Sequence, residues 1–138
     1  MQNNIAVLLP YKDQFIKDNA GSASIWVKDF SKDSKLKKNT TIFGYTSNVS
    51  KTFDNFNYVN LKFSNFGVQS KNLKYVNKFI DVLNRKKFSL IEIHNRPSYI
   101  LHIEKNLPNQ KYILVIHNNP QTLRGAVTPK ERKHLIKL

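Results

Sequence analysis

The sequence predicts an α/β protein, and three observations predict it. Short apolar segments alternate along the chain with longer segments of helical periodicity. The apolar segments are nearly continuous runs, which is typical of parallel strands buried on both faces. The 138 residues fit one domain with one hydrophobic core. We therefore expect a single Rossmann-like domain over residues 1–138, with about five parallel strands in the order 3-2-1-4-5 and helices on both faces.

Five segments are predicted strands because they are short, apolar and mostly rich in β-branched or aromatic residues. They are NIAVLL at 4–9, TTIFGY at 40–45, YVNLKF at 58–63, FSLIEIH at 88–94 and KYILVIH at 111–117. Their order relative to the helical segments favours parallel pairing over hairpins.

Four segments are predicted helices. The strongest covers about 70–87, where apolar residues recur every three or four positions and lysines lie on the opposite side. SASIWVKDF after Gly21 predicts the first helix, and PSYILHIEKNL at 97–107 begins with a proline that the first turn tolerates. In TPKERKHLIKL, Thr128 and Glu131 have the spacing of a capping box. This last pattern reaches Leu138 without a stop signal, so we expect a fragment of a longer protein.

The charge of the chain is strongly positive, with a formal net value of +14 at pH 7. Such a charge favours anionic partners. However, lysine supplies 19 of the 23 basic residues and arginine only four, whereas base readout favours arginine. We therefore do not expect nucleic acid as the partner. The chain has no cysteine, which excludes disulfides and thiolate metal sites and favours an intracellular location.

Polar residues cluster where three predicted strands end, and ligands of open parallel sheets bind at this edge. After the first strand, Gly21, Ser22 and Ser24 begin a helix, whose free backbone N–H groups and hydroxyls suit a phosphate or a sugar. The fourth strand ends in IEIHNRP at 91–97, and the fifth is followed by LVIHNNPQTLRG at 114–125. Histidines at the ends of neighbouring strands are expected to face one pocket.

The sequence patterns of metal sites, nucleotide-binding loops and serine hydrolases are absent. The four histidines, including His102 and His134, do not have compact metal-ligand spacing, and neither Glu92 nor Glu104 completes a recognisable metal site. The dinucleotide fingerprint, the phosphate-loop motif and the G-x-S-x-G nucleophile elbow are absent. We expect no metal ion and no bound cofactor.

The segments IAVLLPY, AGSASIWVKDF, IEIHNRP and LVIHNNPQTLRGAVTPKER, in this order, resemble the N-terminal domain of family 4 glycosyltransferases. These enzymes have the two-domain GT-B fold and transfer a sugar from a nucleotide-sugar to an acceptor with retention of configuration. The resemblance covers nearly the whole chain. It implies an acceptor-side domain that is inactive alone, because the domain that holds most of the donor nucleotide is not in these residues.

The resemblance also implies a role for individual residues. It implies that His117 is catalytic and faces the transferred sugar, and that Gly21 and Ser22 approach the donor diphosphate or sugar. The remaining candidate residues would form the acceptor side of the cleft, and they are His94, Asn95, Arg96, Asn118, Asn119 and Arg124, with Gly125 in the last loop.

The expected partners are a nucleotide-sugar donor and a sugar or glycolipid acceptor. A lipid acceptor would give lysine-rich helices, such as the one expected over 28–38, a role in peripheral contact with an anionic membrane, on the cytoplasmic face. Two other interpretations stay open: a stand-alone α/β ligand-binding module, and a basic nucleic-acid-binding protein, which explains the asparagine-flanked histidines less well.

Overall fold

The computed structural model describes residues 4–138 and confirms the α/β class. All five strands are parallel and form one sheet in the order β3-β2-β1-β4-β5. The strands are β1 (Ile5–Leu8), β2 (Thr40–Gly44), β3 (Tyr58–Asn60), β4 (Leu90–His94) and β5 (Tyr112–Val115). The helices are α1 (Ser22–Ser31), α2 (Lys71–Arg85), α3 (Pro97–Asn106) and α4 (Pro129–Ile136).

Two hydrophobic clusters cover the two faces of the sheet. Successive strand side chains point to opposite faces, so β1 contributes Ala6 and Leu8 to one cluster and Val7 to the other. The larger cluster packs α2 and α3 against the sheet, and Leu135 of α4 adds to its rim. The smaller cluster packs α1 against the opposite face. Helices therefore lie on both faces, as the sequence predicts.

A buried tyrosine fixes α2 to the carboxyl end of the central strand. Tyr75 is fully buried, and its hydroxyl donates to the carbonyl of Leu9 at 2.7 Å. Burial raises the pKa of this hydroxyl well above its ordinary value, so the group stays a neutral donor. The hydrogen bond orients α2 at the edge where ligands of such sheets bind.

The segment between β1 and α1 is held by aromatic packing. Phe15 is fully buried and contacts the rings of Phe53, Phe56 and Tyr58 at centroid distances of 4.9, 5.4 and 5.6 Å. Offset and edge-on ring pairs add to the free energy of burial. The packing fixes the path of the chain immediately before α1.

Asparagine side chains terminate two strands earlier than the sequence predicts. The side-chain oxygen of Asn60 accepts from the N–H of Thr46 at 2.8 Å, and its amide group donates to the Thr46 carbonyl at 3.0 Å. β3 therefore ends at Asn60, although the apolar pattern extends to Phe63. In the same way, the side-chain oxygen of Asn95 accepts from the N–H of His117, and β5 ends two residues before that histidine.

Side-chain caps begin α2 and α4, and the cap of α4 is the one that the sequence predicts. Ser70 caps α2 by accepting from the Leu73 N–H at 3.3 Å. At α4 the capping box is confirmed: the Thr128 hydroxyl accepts from the Glu131 N–H, and the Glu131 carboxylate accepts from the Thr128 N–H at 2.8 Å. The hydrogen bond from the Thr128 backbone N–H is the main cause that holds the pKa of the Glu131 carboxyl below its ordinary value.

Candidate functional site

The candidate site lies at the carboxyl edge of the sheet, beside the point where strand order reverses. That reversal falls between β1 and β4, which are paired neighbours although two helices and two strands separate them in sequence. In open parallel sheets, the crevice at such a point is the usual ligand position. The residues that follow β4 and β5 supply the polar groups at this edge.

The structure brings His94 and His117 together, and we call them the histidine pair. Nδ1 of His94 lies 2.9 Å from Nε2 of His117, and the two rings stack with centroids 5.2 Å apart. On its other side, Nε2 of His94 lies 2.7 Å from a carboxylate oxygen of Glu92. A continuous hydrogen-bonded row therefore runs from Glu92 through the fully buried His94 to the partly exposed His117.

Strand geometry explains why Glu92 and His94 meet. Residues two apart in a strand lie on the same face, so both side chains of β4 point toward α1. Ile91 and Ile93 point to the opposite face and belong to the larger apolar cluster. From α1, the Trp26 ring packs against His94 at 5.3 Å and against His117 at 5.6 Å between centroids. This indole reduces the access of water to the pair.

The row constrains where protons lie. A carboxylate only accepts hydrogen bonds, so Nε2 of His94 carries a proton when Glu92 is ionised. If that is the only proton on the His94 ring, its Nδ1 accepts from Nε2 of His117. Nδ1 of His117 then has a free lone pair and is a hydrogen-bond acceptor. A second proton on His94 reverses the polarity and makes Nδ1 of His117 a donor, which suits a group that binds or activates hydroxyls.

The environment of His117 disfavours its charged form. Burial is the main cause that lowers the pKa of His117 below the ordinary histidine value, and the neighbouring His94 lowers it further. Asp13 and Glu92 oppose this shift with their negative charge. The neutral imidazole that results at pH 7 has one donor and one acceptor nitrogen.

His94 and Asn95 do not line an open cavity, which corrects the expectation that they contact an acceptor. His94 has no exposed surface, and Asn95 is only 5% exposed. Asn95 adopts a left-handed backbone with φ of 51°, a conformation that asparagine tolerates better than most residues. Its side-chain oxygen accepts from the His117 N–H at 2.7 Å, and its own N–H donates to the Val115 carbonyl at 2.9 Å. Both residues position His117.

The start of α1 also differs from the prediction of free N–H groups. One oxygen of Asp13 accepts from the Ala23 N–H at 3.0 Å, and the other accepts from the Ser24 N–H at 2.9 Å. The positive end of the helix is therefore already neutralised by a carboxylate of the protein. Gly21 is required for this contact, because a Cβ at that position would lie 2.3 Å from Asp13. Ser22 is exposed in the first turn of α1.

Arg96 and Arg124 line an open cleft of about 400 Å³ on the other side of the sheet edge, and we call it the arginine cleft. It lies between the first turns of α2 and α3 and the loop that follows β5. Arg96 donates to the Asn95 carbonyl at 2.8 Å. Burial raises the pKa of the neighbouring Tyr99 hydroxyl, and the positive charge of Arg96 partly opposes that rise. The exposed Arg124 side chain makes no hydrogen bond or ion pair within residues 4–138.

The loop between β5 and α4 places the other candidate residues at the rim. Asn118 and Asn119 are exposed, and the Asn119 side chain accepts from the Gln121 N–H at 3.0 Å. Gly125 has a positive φ of 93°, and a Cβ there would lie 2.8 Å from the Ser98 backbone nitrogen. Glycine is therefore needed for the close approach of this loop to the start of α3.

Residues 4–138 contain neither a metal-binding group of side chains nor a helix that could span a membrane. No group of three or more histidine, aspartate or glutamate side chains in that range is placed to hold a metal ion. The longest helix in that range, α2, has 15 residues and extends only about 22 Å, less than the bilayer core of about 30 Å. The lysines of 28–38 do not share one helix, because α1 ends at Ser31 and a short 3₁₀ turn spans Lys37–Asn39.

Sequence reasoning missed three residues that build this site: Glu92, Trp26 and Asp13. The spacing of two between Glu92 and His94 was a usable signal, because it places both side chains on one face of a strand. The contact of Trp26 depends on how α1 packs, and that of Asp13 depends on the aromatic packing around Phe15. Neither contact has a local sequence pattern.

Comparisons with protein-family models, curated proteins and solved structures give no match for this chain.

Proposed function

We propose that the chain is the acceptor-side domain of a retaining glycosyltransferase that uses a nucleotide-sugar donor. The observation that carries the proposal is the row of Glu92, His94 and His117 at the carboxyl edge of a Rossmann-like sheet. The buried His94 links the partly exposed Glu92 to the partly exposed His117, and this is an arrangement that a purely structural histidine does not need. The sequence segments that resemble family 4 glycosyltransferases contain all three residues of the row.

His117 faces the transferred sugar in this proposal. Its Nδ1 accepts a hydrogen bond from a sugar hydroxyl, while Glu92 and His94 fix the ring and its tautomer. Fixed hydrogen-bond partners matter because a buried group left without one costs about 1 to 3 kcal/mol. The second domain supplies the charges that stabilise the departing diphosphate.

Because the Asp13 carboxylate already binds the first N–H groups of α1, Gly21 and Ser22 are not expected to bind the diphosphate. Asp13 places negative charge where a diphosphate would otherwise use the helix dipole, and like charges repel. Ser22 therefore offers its exposed hydroxyl to the transferred sugar. The diphosphate binds farther from α1, on the second domain.

The proposal is tested on the protein encoded by the complete reading frame of the source gene. The measurement is release of nucleoside diphosphate from a panel of nucleotide-sugars. We expect turnover with at least one donor, a loss of at least about 100-fold in His117→Ala, and little change in His134→Ala, which alters an exposed histidine of α4. Equal activity of wild type and His117→Ala, or no turnover with any donor, would reject the proposal. The isolated 138-residue chain is expected to transfer no sugar.

Peripheral attachment to an anionic membrane is a separate part of the proposal. Residues 28–38 contain five lysines and two aspartates, and most of the lysines are exposed. Positive charge near a surface gains about 1 kcal/mol per lysine from anionic lipid. Sedimentation with vesicles should show binding that rises with anionic lipid content. Binding that does not depend on anionic lipid would reject this attachment.

A further inference from the structure

The arginine cleft concentrates positive charge without a carboxylate to neutralise it. Lysines outnumber arginines 19 to four in this chain, yet two of the four arginines lie at one cleft. None of the residues that line the cleft within 4–138 is acidic. Arg132 makes two hydrogen bonds inside the fold, to the carbonyls of Ala126 and Val127 at 2.7 Å each, and Arg96 makes one, to the Asn95 carbonyl. The Arg124 side chain makes none within residues 4–138, so its guanidinium donors are available to a ligand in the cleft.

The remaining groups around the cleft define the shape of its ligand. Ser70 and Ser98 also line the cleft with their hydroxyls, and Leu73 and Leu123 provide an apolar wall. Hydroxyls and amides bind sugar hydroxyls, and apolar walls pack against the C–H faces of a sugar ring. The volume of about 400 Å³ falls within the range of about 300 to 1,000 Å³ typical of small-molecule sites.

We propose that the arginine cleft binds the phosphate group of a phosphorylated sugar. Two guanidinium groups match a phosphate ester because each presents parallel N–H donors to a pair of oxygens. The inference rests on the proposed function in one respect: the phosphorylated sugar is the acceptor of the transferase. The phosphate is carried either by a soluble sugar phosphate or by the headgroup of a glycolipid, and the recognition chemistry is the same.

Heteronuclear NMR titration of the 138-residue chain tests the cleft directly, in buffer with physiological salt. The probes are glucose 6-phosphate, glucose, and a short-chain phosphatidylinositol below its micelle concentration. We expect glucose 6-phosphate to bind at least about tenfold more tightly than glucose, with shifts centred on Ser98 and Arg124. Tighter binding of the short-chain lipid than of glucose 6-phosphate assigns the phosphate to a lipid headgroup, and the reverse assigns it to a soluble sugar. Equal binding of glucose and glucose 6-phosphate would overturn the proposal.

Two variants separate a specific site from general attraction to a basic protein. Arg124→Gln should weaken glucose 6-phosphate binding about tenfold, since one fork of donors is lost. Arg85→Gln makes the same change of charge at the far end of α2 and should alter binding less than twofold. The side chain of Arg124 is exposed, so the variant should fold. Equal weakening by both variants would indicate diffuse attraction and reject the site.

The same variant in the complete protein separates this inference from the proposed function. Turnover of a nucleotide-sugar with an uncharged acceptor, together with no binding of glucose 6-phosphate at the cleft, would reject the phosphate site and leave the transferase intact. Binding of glucose 6-phosphate to the cleft without any transferase activity would leave the site and favour a ligand-binding module instead.

Discussion

The histidine pair and the arginine cleft lie at the same edge of the sheet, but they are built in opposite ways. His94 is the last residue of β4, and both of its ring nitrogens are hydrogen bonded within the fold. Arg124 is on a loop, and its exposed side chain makes no hydrogen bond or ion pair with residues 4–138. The first arrangement fixes the position of protons before a ligand arrives, whereas the second supplies charge to a ligand.

This difference predicts where mutations act. At the histidine pair, removal of one member leaves buried polar groups without partners, so stability falls together with function. At the cleft, a neutral side chain in place of an arginine changes binding and leaves the fold nearly unchanged. The effect of a mutation is therefore expected to be largest at the fully buried His94 and smaller at residues that are partly exposed.

The largest effect is expected for His94→Ala. The change creates a cavity and leaves the Glu92 carboxylate and Nε2 of His117 without their hydrogen-bond partner. We expect a loss of about 2 to 4 kcal/mol in the free energy of unfolding, measured by urea denaturation. His134→Ala is the matched control and should cost less than about 0.5 kcal/mol. A loss below about 1 kcal/mol for His94→Ala would show that the hydrogen bonds from His94 to Glu92 and His117 do not stabilise the fold.

Gly21→Ala should have an intermediate effect. The φ of −72° at Gly21 suits alanine, so any cost comes from the clash with Asp13 rather than from the backbone. Displacement of that carboxylate breaks its hydrogen bonds to the N–H groups of Ala23 and Ser24, at a cost of about 1 to 2 kcal/mol.

A double-mutant cycle identifies the cause. In an Asp13→Ala background the clash is gone, so Gly21→Ala should be neutral or slightly stabilising, because it restricts the unfolded chain. An unchanged cost in that background would mean that Asp13 does not hold the start of α1.

Glu92→Gln should have a smaller effect on stability, about 1 kcal/mol, and a distinct spectroscopic effect. A carboxylate requires a proton on Nε2 of His94, whereas an amide side chain either donates or accepts. The ¹⁵N chemical shifts of the His117 ring should therefore move from one tautomer to a mixture. Asp81→Asn makes the same change of charge on the exposed side of α2 and should leave those shifts unchanged. Unaltered His117 shifts in Glu92→Gln would show that Glu92 does not set the tautomer of His117 through His94.

The fold could be predicted from the sequence because its signals are local and repeated. The apolar period of α2, the continuous runs of the strands and the capping box of α4 each indicate one element, and parallel connections limit the order of strands. Strand ends were predicted less well. Asn60 and Asn95 end two strands through side-chain hydrogen bonds, and no period in the sequence marks such contacts.

The candidate site was predicted in part. His117 and Arg124 were recognisable because polar residues directly after an apolar strand lie at the ligand-binding edge. The burial of His94 was not recognisable, since it depends on Trp26 from a helix 68 residues away in sequence. Asp13 was missed for the same reason: its position depends on Phe15, whose ring partners lie at 53–58, beyond β2 in sequence.

The smallest expected effect on stability comes from a change of pH, through the titration of the partly exposed His117. Folding lowers the pKa of His117, mainly through burial and also through His94. At a pH between the lowered pKa and the ordinary one, the unfolded chain therefore binds more protons than the folded chain. Stability from this group is therefore present above about pH 6.5 and is lost as the pH falls below it. Trp26 is the only tryptophan and packs on His117, so its fluorescence should change with a midpoint below pH 6.5.

Two variants assign that transition. His117→Gln should abolish it. His102→Gln should leave it intact, although burial and Lys105 also lower the pKa of His102, because that ring lies on α3 and bonds Asn77 rather than Trp26. A transition that persists in His117→Gln would show that His117 is not the group that changes the Trp26 fluorescence, and it would contradict the lowered pKa of His117 as the cause.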